Sequence, residues 1–300
     1  MTGKPNGLNE RPLPLLEHEV LRTFVAIAES GSFTRAAQQV FRTPAAVSMQ
    51  IKRLEETLGQ TMFIREPRHA RLTAEGETLL GYARRMLDLN EEAVARFLAP
   101  PVDGMVQFGT SDDMGTRILP AVLAQFARTH PAVQVNVRVD RSVELIRRID
   151  AGDLDLALIT LGNEGQADRG GEVVYSDRLV WAGREGGVAA QRSPLPLVLA
   201  DQGCAWRSMA LAALDRSGLD YRVSYTSESC SVQEAAMAAD IAIGPFPRGL
   251  IRAPLRSLAE GFGLPALGTY QAALLRSPKR GAAAETLAER VTERFLALNP

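Results

Sequence analysis

The segment that most restricts the fold of this chain lies at residues 34–59, TRAAQQVFRTPAAVSMQIKRLEETLG. Its pattern predicts two helices separated by a tight turn. Ser32 precedes the first helix, where a hydroxyl can accept a hydrogen bond from a free helical N–H group. Thr43 and Pro44 start the second helix in the same way, because proline needs no N–H at that point. Gly59 suits the left-handed backbone conformation that ends a helix.

The second predicted helix has two faces of different chemistry. The apolar residues that recur at helical spacing predict a buried face: Val47, Ile51, Leu54 and Leu58. The residues on the opposite side are small, polar or basic: Ala45, Met49, Lys52 and Arg53. Such a face can lie in the major groove of DNA. An ordinary amphipathic helix hairpin is the alternative interpretation.

The charge of the chain is nearly balanced overall but not locally. It has 34 basic and 35 acidic residues, a net charge of −1, which argues against nucleic-acid binding through total charge. Residues 31–73 contain seven basic and three acidic residues, a local net charge of +4 around the proposed helix pair. The distribution therefore favours a localised DNA contact.

Residues 61–72, TMFIREPRHARL, predict two short strands around a turn. Arg65, Arg68, His69 and Arg71 would lie on this basic hairpin, which we interpret as a wing beside the DNA-reading helix. Its side chains could contact phosphates or the minor groove. A solvated charged turn is the alternative.

A long helix is predicted from Thr73, its N-cap, to about Ala99, where Pro100 and Pro101 stop it. Apolar residues recur every seven positions, as in a coiled coil that contains one polar position. The candidate dimer seam comprises Leu80, Leu87, Asn90, Val94 and Phe97. The alternative is a helix that packs on its own domain.

Beyond residue 104 the pattern changes to alternating strands and helices, which predicts an α/β domain with a largely parallel sheet. One helix is expected at residues 116–129 and one strand at 241–244. Two crossings between short α/β lobes predict a hinged cleft with ligands at the carboxyl ends of strands. The predicted divisions are 15–73, 74–99 and 104–297, with lobe I at about 104–182 and 267–297 and lobe II at about 183–266.

The sequence offers little for an enzyme. It contains three histidines and no HExxH, Walker loop or GxGxxG motif after a strand. His130 is expected at the surface of a helix end. The two cysteines, Cys204 and Cys230, form neither a disulfide framework nor a zinc pattern. They could be a redox pair or two reduced side chains. We predict no catalytic residue, metal site or cofactor.

No stretch of the sequence approaches 18 consecutive apolar residues, and the N-terminus has no basic-then-apolar export signal. The expectation is a cytoplasmic protein with no membrane partner.

Several motifs together resemble the N-terminal signature of LysR-type transcriptional regulators. They are Thr23-Phe24, Gly31-Ser32-Phe33, Ala36-Ala37, Ala46-Val47-Ser48, Ile51, Leu54-Glu55, Leu58-Gly59, Phe63, Arg65, Leu72-Thr73 and Gly76-Glu77. The run LIRRIDAGDLDLAL at residues 145–158 resembles the effector domain of that family. The resemblance covers about residues 15–297.

The resemblance implies a winged helix-turn-helix, a dimerising linker helix and a two-lobed periplasmic-binding-protein-like domain. It further implies a homodimer or homotetramer on two-fold sites in double-stranded DNA, a small-molecule effector, and RNA polymerase as a further candidate partner. By motif position, the residues that would face DNA are Ser32, Thr34, Thr43, Pro44, Ala45, Ser48, Met49, Lys52 and Arg65.

One departure from the family pattern concerns Met49, which occupies a position where the family usually has a longer polar residue. An apolar contact, for example with a thymine methyl group, could replace a base-edge hydrogen bond there. The wing also carries an unusual acid and proline, Glu66 and Pro67.

Four loops are predicted around the cleft, at residues 110–113, 140–142, 201–207 and 226–230. The candidate effector-binding residues are Ser111, Asp112, Asp113, Arg141, Ser142, Asp201, Cys204, Arg207, Thr226 and Ser227. The loops contain five acids and two bases, a net charge of −3, although relatives often bind small carboxylates. Either the acids cap helices, as Asp112 and Asp113 could, or the effector is polar or cationic, or the cleft binds nothing.

Three classes of function remain at this point. The first is a transcription factor that responds to an effector, and the second is a DNA-binding protein whose C-terminal domain serves only oligomerisation. The third is a small-molecule carrier or enzyme with an incidental N-terminal hairpin.

Overall fold

The computed structural model describes residues 13–66, 69–98, 102–162, 171–258 and 262–298. The chain divides into two compact units, Met1–Ala99 and Pro100–Pro300. The first is mostly helical with a small hairpin, and the second is built from strands and helices. This agrees with the predicted fold class.

The first unit begins with three helices whose ends follow from the sequence. They are α1 (His18–Ser30), α2 (Phe33–Gln39) and α3 (Pro44–Leu58). The Ser32 hydroxyl accepts a hydrogen bond from the Arg35 N–H at 3.4 Å, and the Thr43 hydroxyl accepts one from the Ala46 N–H at 3.2 Å. Gly59 ends α3 with a φ of 66°. The predicted caps of α2 and α3 are therefore confirmed.

The apolar faces of these helices form the core of the first unit. Its largest buried members include Leu21, Phe24, Ile27, Val47, Ile51 and Leu54. Ala36 and Ala37 are also buried and allow α2 to pack closely. The stripe predicted on α3 is the buried face, with Leu58 half-buried at its end.

The predicted hairpin is present and is fixed to the helices. Strands β1 (Phe63–Glu66) and β2 (His69–Leu72) pair antiparallel, and the turn residues 67 and 68 lie outside the described residues. The Glu55 carboxylate of α3 accepts a hydrogen bond from the Met62 N–H at 2.7 Å. The Phe63 ring lies 5.3 Å from the Phe24 ring of α1. Both contacts hold the hairpin beside α3.

Helix α4 (Ala74–Leu98) is long, and its two halves differ. The Thr73 hydroxyl accepts a hydrogen bond from the Gly76 N–H at 3.0 Å and so caps the helix as predicted. Leu79 and Ala83, in the first half, are buried in the core of the same unit. The second half carries exposed apolar side chains, Leu89, Val94 and Phe97.

The second unit contains the remaining strands and helices. The strands are β3 (Gly104–Thr110), β4 (Val133–Val139), β5 (Leu156–Thr160), β6 (Glu172–Arg184), β7 (Leu195–Leu199), β8 (Tyr221–Thr226), β9 (Gly244–Pro247), β10 (Leu255–Ser257) and β11 (Thr269–Arg276). The helices are α5 (Asp112–Arg117), α6 (Leu119–Thr129), α7 (Ser142–Ala151), α8 (Ala205–Ser217), α9 (Cys230–Ala238) and α10 (Ala282–Ala297).

The main sheet is mixed, which corrects the prediction of a largely parallel one. Among the described residues its strand order is β10-β6-β11-β5-β3-β4, and β9 also pairs with β6. Strand β3 runs parallel to β4 and β5, whereas β11 and β6 pair antiparallel to their neighbours. The prediction considered only the βαβ units and overlooked that β11 and β6 complete the sheet from the opposite direction. Strands β7 and β8 form a separate parallel pair.

Strand β6 belongs to both lobes of the second unit. Its first part, up to Arg178, pairs with β11, and its second part, from Leu179, pairs with β9 and β10. The chain returns beside this point, where the Leu179 N–H donates to the Gly268 carbonyl at 2.9 Å. Two adjacent crossings therefore join the lobes.

Two elements that contain proline differ from the sequence-based boundaries. The helix predicted at residues 116–129 is broken at Ile118 into α5 and α6, since the Pro120 ring would clash with a carbonyl in the preceding turn of a continuous helix. The strand predicted at 241–244 lies instead at β9, which contains Pro245 and Pro247. β9 pairs with β6 on one side, and strand edges tolerate proline.

Candidate functional site

The exposed face of α3 carries the chemistry predicted for DNA contact. Pro44, Ala45, Met49, Lys52 and Arg53 are all exposed, with Met49 at 59 %. The opposite face is buried in the core, so these side chains are held on a rigid helix. The arrangement presents a narrow strip of small, apolar and basic groups to solvent.

Lys52 is ion-paired but remains available. Its Nζ atom lies 3.7 Å from Glu56 Oε1, one helical turn away, and both side chains are well exposed. An exposed pair of this kind contributes little to stability. Lys52 can therefore exchange Glu56 for a phosphate or a base at small cost.

The hydroxyls of Ser32 and Thr43 cap helices, and this determines which further hydrogen bonds they can make. Each accepts a backbone hydrogen bond and retains its own O–H as a donor. Thr34 is exposed in the first turn of α2, and Ser48 is half-buried on α3. Caps at helix N-termini lie where the helix dipole favours an anion such as a phosphate.

The hairpin beside α3 is described only in part. Arg65 lies in β1, although its side chain lies outside the described residues, as does the whole of Arg68. His69 packs over Gly31, where an added Cβ would approach its ring within 2.2 Å. The Ala70 N–H also donates to the Gly31 carbonyl at 2.9 Å. His69 therefore links the hairpin to the end of α1.

The predicted seam residues of α4 fall into two groups. Leu80 and Leu87 are half-buried and pack against the core of their own unit. Asn90, Val94 and Phe97 are exposed, with Phe97 at 85 %. The first half of α4 thus packs on its own domain, as the alternative interpretation expected, and the dimer seam stays a prediction for the second half, where Asn90, Val94 and Phe97 are exposed.

A cleft of about 470 Å³ lies between the two lobes of the second unit. It is bordered by the loops that follow β3, β4, β7 and β8 and by the helices that start there. The lining residues are Ser111, Asp112, Asp113, Val139, Asp140, Arg141, Ser142, Val143, Thr160, Ala200, Gln202, Gly203, Cys204, Trp206, Glu228, Ser229, Cys230 and Gln233. The volume falls in the usual range for small-molecule sites.

Six of the predicted effector-binding residues line this cleft: Ser111, Asp112, Asp113, Arg141, Ser142 and Cys204. The other four, Asp201, Arg207, Thr226 and Ser227, are not among its lining residues, and their assignment stays a prediction. Arg207 turns away and donates to the Ala200 carbonyl at 2.8 Å, and the Ser227 hydroxyl accepts from the Ser229 N–H at 3.1 Å. Asp201 and Thr226 are exposed outside the lining.

The candidate list missed several lining residues, among them Trp206 and Gln233. Both are buried and lie in the first turns of α8 and α9. Trp206 lies inside the loop range 201–207 that was expected near the cleft, but it was not named as a candidate. Nothing in the local pattern indicated Gln233, because its orientation depends on how α9 is rotated.

Among the described residues, two of the contacts that connect the lobes join lobe I to α9. Asp112 Oδ2 accepts a hydrogen bond from the Cys230 N–H at 2.7 Å, so an acid of lobe I caps α9 of lobe II. Arg117 forms an ion pair with Glu234 of the same helix. Asp112 therefore acts as a cap, as the sequence analysis considered, but on the opposite lobe.

The other acids of the lining have different environments. Asp140 Oδ1 accepts from the Arg141 N–H at 2.9 Å, and Glu228 Oε1 accepts from the Asp201 N–H at 3.0 Å. Asp113 is buried, and burial raises the pKa of its carboxyl group. Asp113 is therefore the lining acid whose ionised form the protein disfavours.

The two cysteines both border the cleft as reduced thiols. Burial raises the pKa of the Cys204 thiol, and burial together with the charges of Asp113 and Asp112 raises that of Cys230. A thiol reacts through its thiolate. The environment therefore makes both thiols less reactive than a free cysteine.

Other site types receive no support from the described residues. No group of three or more His, Cys, Asp or Glu side chains could hold a metal ion there. His130, expected at the surface, is instead buried and stacks on Phe126 at 4.5 Å between ring centroids, so that expectation was wrong. No helix in the described part of the chain is long and apolar enough to cross a membrane.

Two family models match the chain and together cover most of it. Residues 18–77 match the bacterial regulatory helix-turn-helix protein, lysR family, and residues 100–296 match the LysR substrate binding domain.

Named relatives agree with these matches. The chain is 32 % identical over 268 residues to the HTH-type transcriptional regulator PecT of Dickeya dadantii, covering 89 % of this chain and 84 % of PecT. It is 39 % identical over 214 residues to DgdR of Burkholderia cepacia, covering 71 % and 72 %. Its fold is similar to that of HinK, a LysR family regulator from Pseudomonas aeruginosa, with a TM-score of 0.52, 20 % identity and coverage of 94 % and 99 %. The chain therefore belongs to the LysR family, whose members are DNA-binding transcriptional regulators with an effector-binding domain and not enzymes.

Proposed function

We propose that α3 enters the major groove and reads sequence through its exposed face. The observation that carries this proposal is the contrast between the two sides of α3: Val47, Ile51 and Leu54 fix the helix, while Met49 and Lys52 project from it. Caps at both N-termini of the helix pair keep the backbone in place. A rigid helix with an exposed basic strip is the arrangement that major-groove readout needs.

The exposed residues divide by the part of DNA that their chemistry suits. Lys52 and Arg53 can donate to base edges or phosphates, whereas Ala45 and Met49 can contact only apolar groups such as the thymine methyl. Ser32, Thr34, Thr43, Pro44 and Ser48 lie near helix N-termini, which suit phosphates. Arg65 and Arg68 of the hairpin are proposed as further backbone contacts.

We propose that the second half of α4 is covered by a second copy of the chain. Val94 and Phe97 are exposed apolar residues one turn apart, with Asn90 one turn before them. A seam with a single polar position specifies register and partner number. The resulting homodimer would present two α3 helices to a two-fold DNA site, and two dimers could assemble as a homotetramer.

The cleft between the lobes is the proposed effector site. It has the size of a small-molecule site and is closed by contacts from both lobes. A ligand that alters these contacts would change the lobe arrangement and thereby the DNA complex. Such a regulator would act in the cytoplasm, where its DNA lies, and would work with RNA polymerase.

The experiment that tests the DNA-reading assignment measures binding of full-length protein to a footprinted operator and to random duplexes. Lys52→Ala should cost about 1–3 kcal/mol on the operator and relax specificity at one base pair. Arg216→Ala, which removes an exposed charge from α8, is the control and should change nothing. If Lys52→Ala weakens binding equally on all sequences, Lys52 contacts phosphate rather than a base. If affinity at moderate salt is unchanged, Lys52 does not contact DNA.

A further inference from the structure

The turn between α2 and α3 contains a phenylalanine in an unusual backbone conformation. Phe41 has a φ of 54°, in the left-handed region. Its N–H donates to the Gln38 carbonyl at 3.2 Å, and the Arg42 N–H donates to the Ala37 carbonyl at 2.9 Å. These two hydrogen bonds form the Schellman motif, which ends a helix at a left-handed residue that is most often glycine. A bulky side chain at such a position strains the backbone.

The neighbouring helices show what this position ordinarily contains. Helix α1 is followed by Gly31 with a φ of 63°, and α3 is followed by Gly59 with a φ of 66°. Helix α2 is followed instead by a residue that lacks the freedom of glycine at positive φ. Strain of this kind persists where a gain elsewhere offsets it, so the outlier is a reason to look for a function.

The gain does not come from packing within the first unit. The Phe41 side chain is 94 % exposed, whereas Phe24 and Phe63 of the same unit are buried in its core. Folding therefore removes almost none of the Phe41 ring from water, and the ring contributes almost no hydrophobic stabilisation. A strained aromatic residue that the fold leaves in solvent indicates a contact with another molecule.

The position of the ring indicates which molecule that is. Phe41 lies two residues before Thr43, the N-cap of α3, and residues 41–45 are all exposed. The ring is therefore continuous with the face of α3 that we propose enters the major groove. Because Phe41 precedes the helix, its ring would lie at the edge of the groove, where sugars and phosphates are, and not at the base edges. A phenyl ring has no hydrogen-bonding group for a phosphate, so it suits the carbon atoms of a sugar.

We propose that Phe41 packs on a deoxyribose of the DNA backbone and strengthens binding without reading sequence. The inference rests on the proposed function, because it takes α3 to be the helix in the groove, and it adds a contact that involves neither a base nor a charge. A contact without a base contributes equally on every sequence. A contact without a charge releases no counterion and leaves the salt dependence of binding unchanged.

The test measures binding of full-length Phe41→Gly to a footprinted operator and to random duplexes over a range of salt concentrations. Affinity should fall about 5- to 10-fold on both, as expected when roughly half of a phenylalanine side chain no longer leaves water. The slope of the logarithm of affinity against the logarithm of salt concentration should stay the same. Because glycine relieves the left-handed strain, the midpoint of thermal unfolding should rise by about 2–4 °C. Misfolding cannot explain weaker binding by a more stable protein.

Further variants separate the ring from the backbone. Phe41→Tyr keeps the ring and should keep most of the affinity, whereas Phe41→Asn tolerates the left-handed conformation without a ring and should behave like the glycine variant. Gly59→Phe is the mirror control, since an added Cβ at Gly59 has no neighbour within 4 Å. It should lower the midpoint of unfolding and leave affinity for DNA unchanged. Leu298→Ala removes an exposed apolar side chain from the second unit and should change neither.

Each other result of the Phe41→Gly experiment rejects the contact. Unchanged affinity would reject it, and a loss confined to one sequence would mean that the ring meets a base. A changed salt slope, or a changed assembly state in sedimentation, would place the effect elsewhere.

The random duplexes separate this proposal from the function on which it rests. If the wild type shows no preference for its operator, sequence reading by α3 fails, while a loss for Phe41→Gly on random duplexes still supports the sugar contact. If operator preference is present and Phe41→Gly binds like the wild type, sequence reading stands and the sugar contact is rejected.

Discussion

Helix α3, which we propose reads DNA, and the cleft of the second unit differ in how their polar groups are satisfied. The Thr43 hydroxyl caps the N-terminus of α3, and the apolar face of the helix is buried. The side chains that we propose contact DNA project into solvent. In the cleft, Asp113 and Trp206 are buried and keep polar atoms without partners. The Thr43 cap of α3 is satisfied within the chain, whereas two buried polar atoms beside the cleft have no hydrogen-bond partner among the described residues.

This difference indicates what each region contributes to regulation. A surface whose groups are already satisfied can bind by rigid docking, since little reorganisation is needed. A cleft with unsatisfied groups gains more from a matching ligand than from a mismatched one, because the cost of the unpaired atoms is already present in the empty protein. Substitutions in the two regions should therefore produce different measurable effects.

The largest expected effect concerns the uncovered half of α4. Phe97→Asp would place a charge in the proposed seam and separate the two reading heads. Linked binding modules gain about 10²- to 10⁴-fold in affinity, so operator affinity should fall by a factor in that range. Sedimentation and fluorescence anisotropy measure the two effects. Leu298→Asp, at an exposed apolar position in the other unit, is the control and should keep both properties.

The next effect separates the two faces of α3. Ile51→Ala removes buried methyl and methylene groups from the core and should lower the free energy of unfolding by about 2–5 kcal/mol. Met49→Ala, two residues away on the exposed face, should leave stability nearly unchanged and alter operator preference instead. Denaturant unfolding and binding titrations distinguish them. A large stability loss for Met49→Ala would contradict the assignment of the faces.

A smaller effect, with opposite signs, is expected at the adjacent acids of the cleft. Asp112→Ala removes the cap of α9 and should cost about 0.5–2 kcal/mol. Asp113→Asn removes a carboxyl group whose ionised form is disfavoured by burial. At neutral pH we therefore expect this substitution to raise the free energy of unfolding rather than lower it.

The pH dependence of Asp113 sharpens this contrast. Because burial raises its pKa in the folded state, the folded protein holds this proton more tightly than the unfolded chain. Stability should therefore fall as pH rises from the ordinary Asp value, about 3.9, through the raised folded value. The groups that act on it include Asp112, Cys204, Cys230 and Tyr270. Unfolding of wild type and Asp113→Asn across pH 4–8 should show this component only in the wild type, and parallel curves would count against it.

For the two cysteines we expect substitution to have no effect on the response to oxidant. A double variant, Cys204→Ser with Cys230→Ser, should respond to mild peroxide as the wild type does, because burial keeps both thiols protonated. DNase footprints before and after oxidation provide the measurement. A disulfide between the two residues, accompanied by altered DNA contacts, would show that the cleft senses oxidants.

The features of α3 could be predicted because they depend on neighbours in sequence. Thr43, Pro44 and Gly59 fix the ends, and the apolar period fixes the buried side, all within one short segment. The cleft could be placed only approximately. Its loops were found at strand ends, but the direction of each side chain depends on contacts between distant residues.

Two side chains near the cleft, Arg207 and Asp112, illustrate this limit. Arg207 is turned to the Ala200 carbonyl, a contact set by the path of the loop between β7 and α8. Asp112 was considered as a helix cap, but the sequence could not show that the N–H it accepts from lies 118 positions away, at Cys230. The broken helix at Ile118 was different in kind, because Pro120 was visible in the sequence and could have been used.

The strand β6 has a consequence for how the two lobes can move. It is one continuous strand, paired with β11 up to Arg178 and with β9 and β10 from Leu179 onward. Sliding one lobe past the other would break the register on both sides, whereas a change of twist at the exchange of partners would preserve it. The Trp181 indole N–H donates to the Pro265 carbonyl at 2.8 Å and ties the returning chain to this point. We therefore expect the lobes to open by a torsion of β6 and the returning chain at residues 265–268, and we expect a ligand that contacts both lobes to resist that torsion.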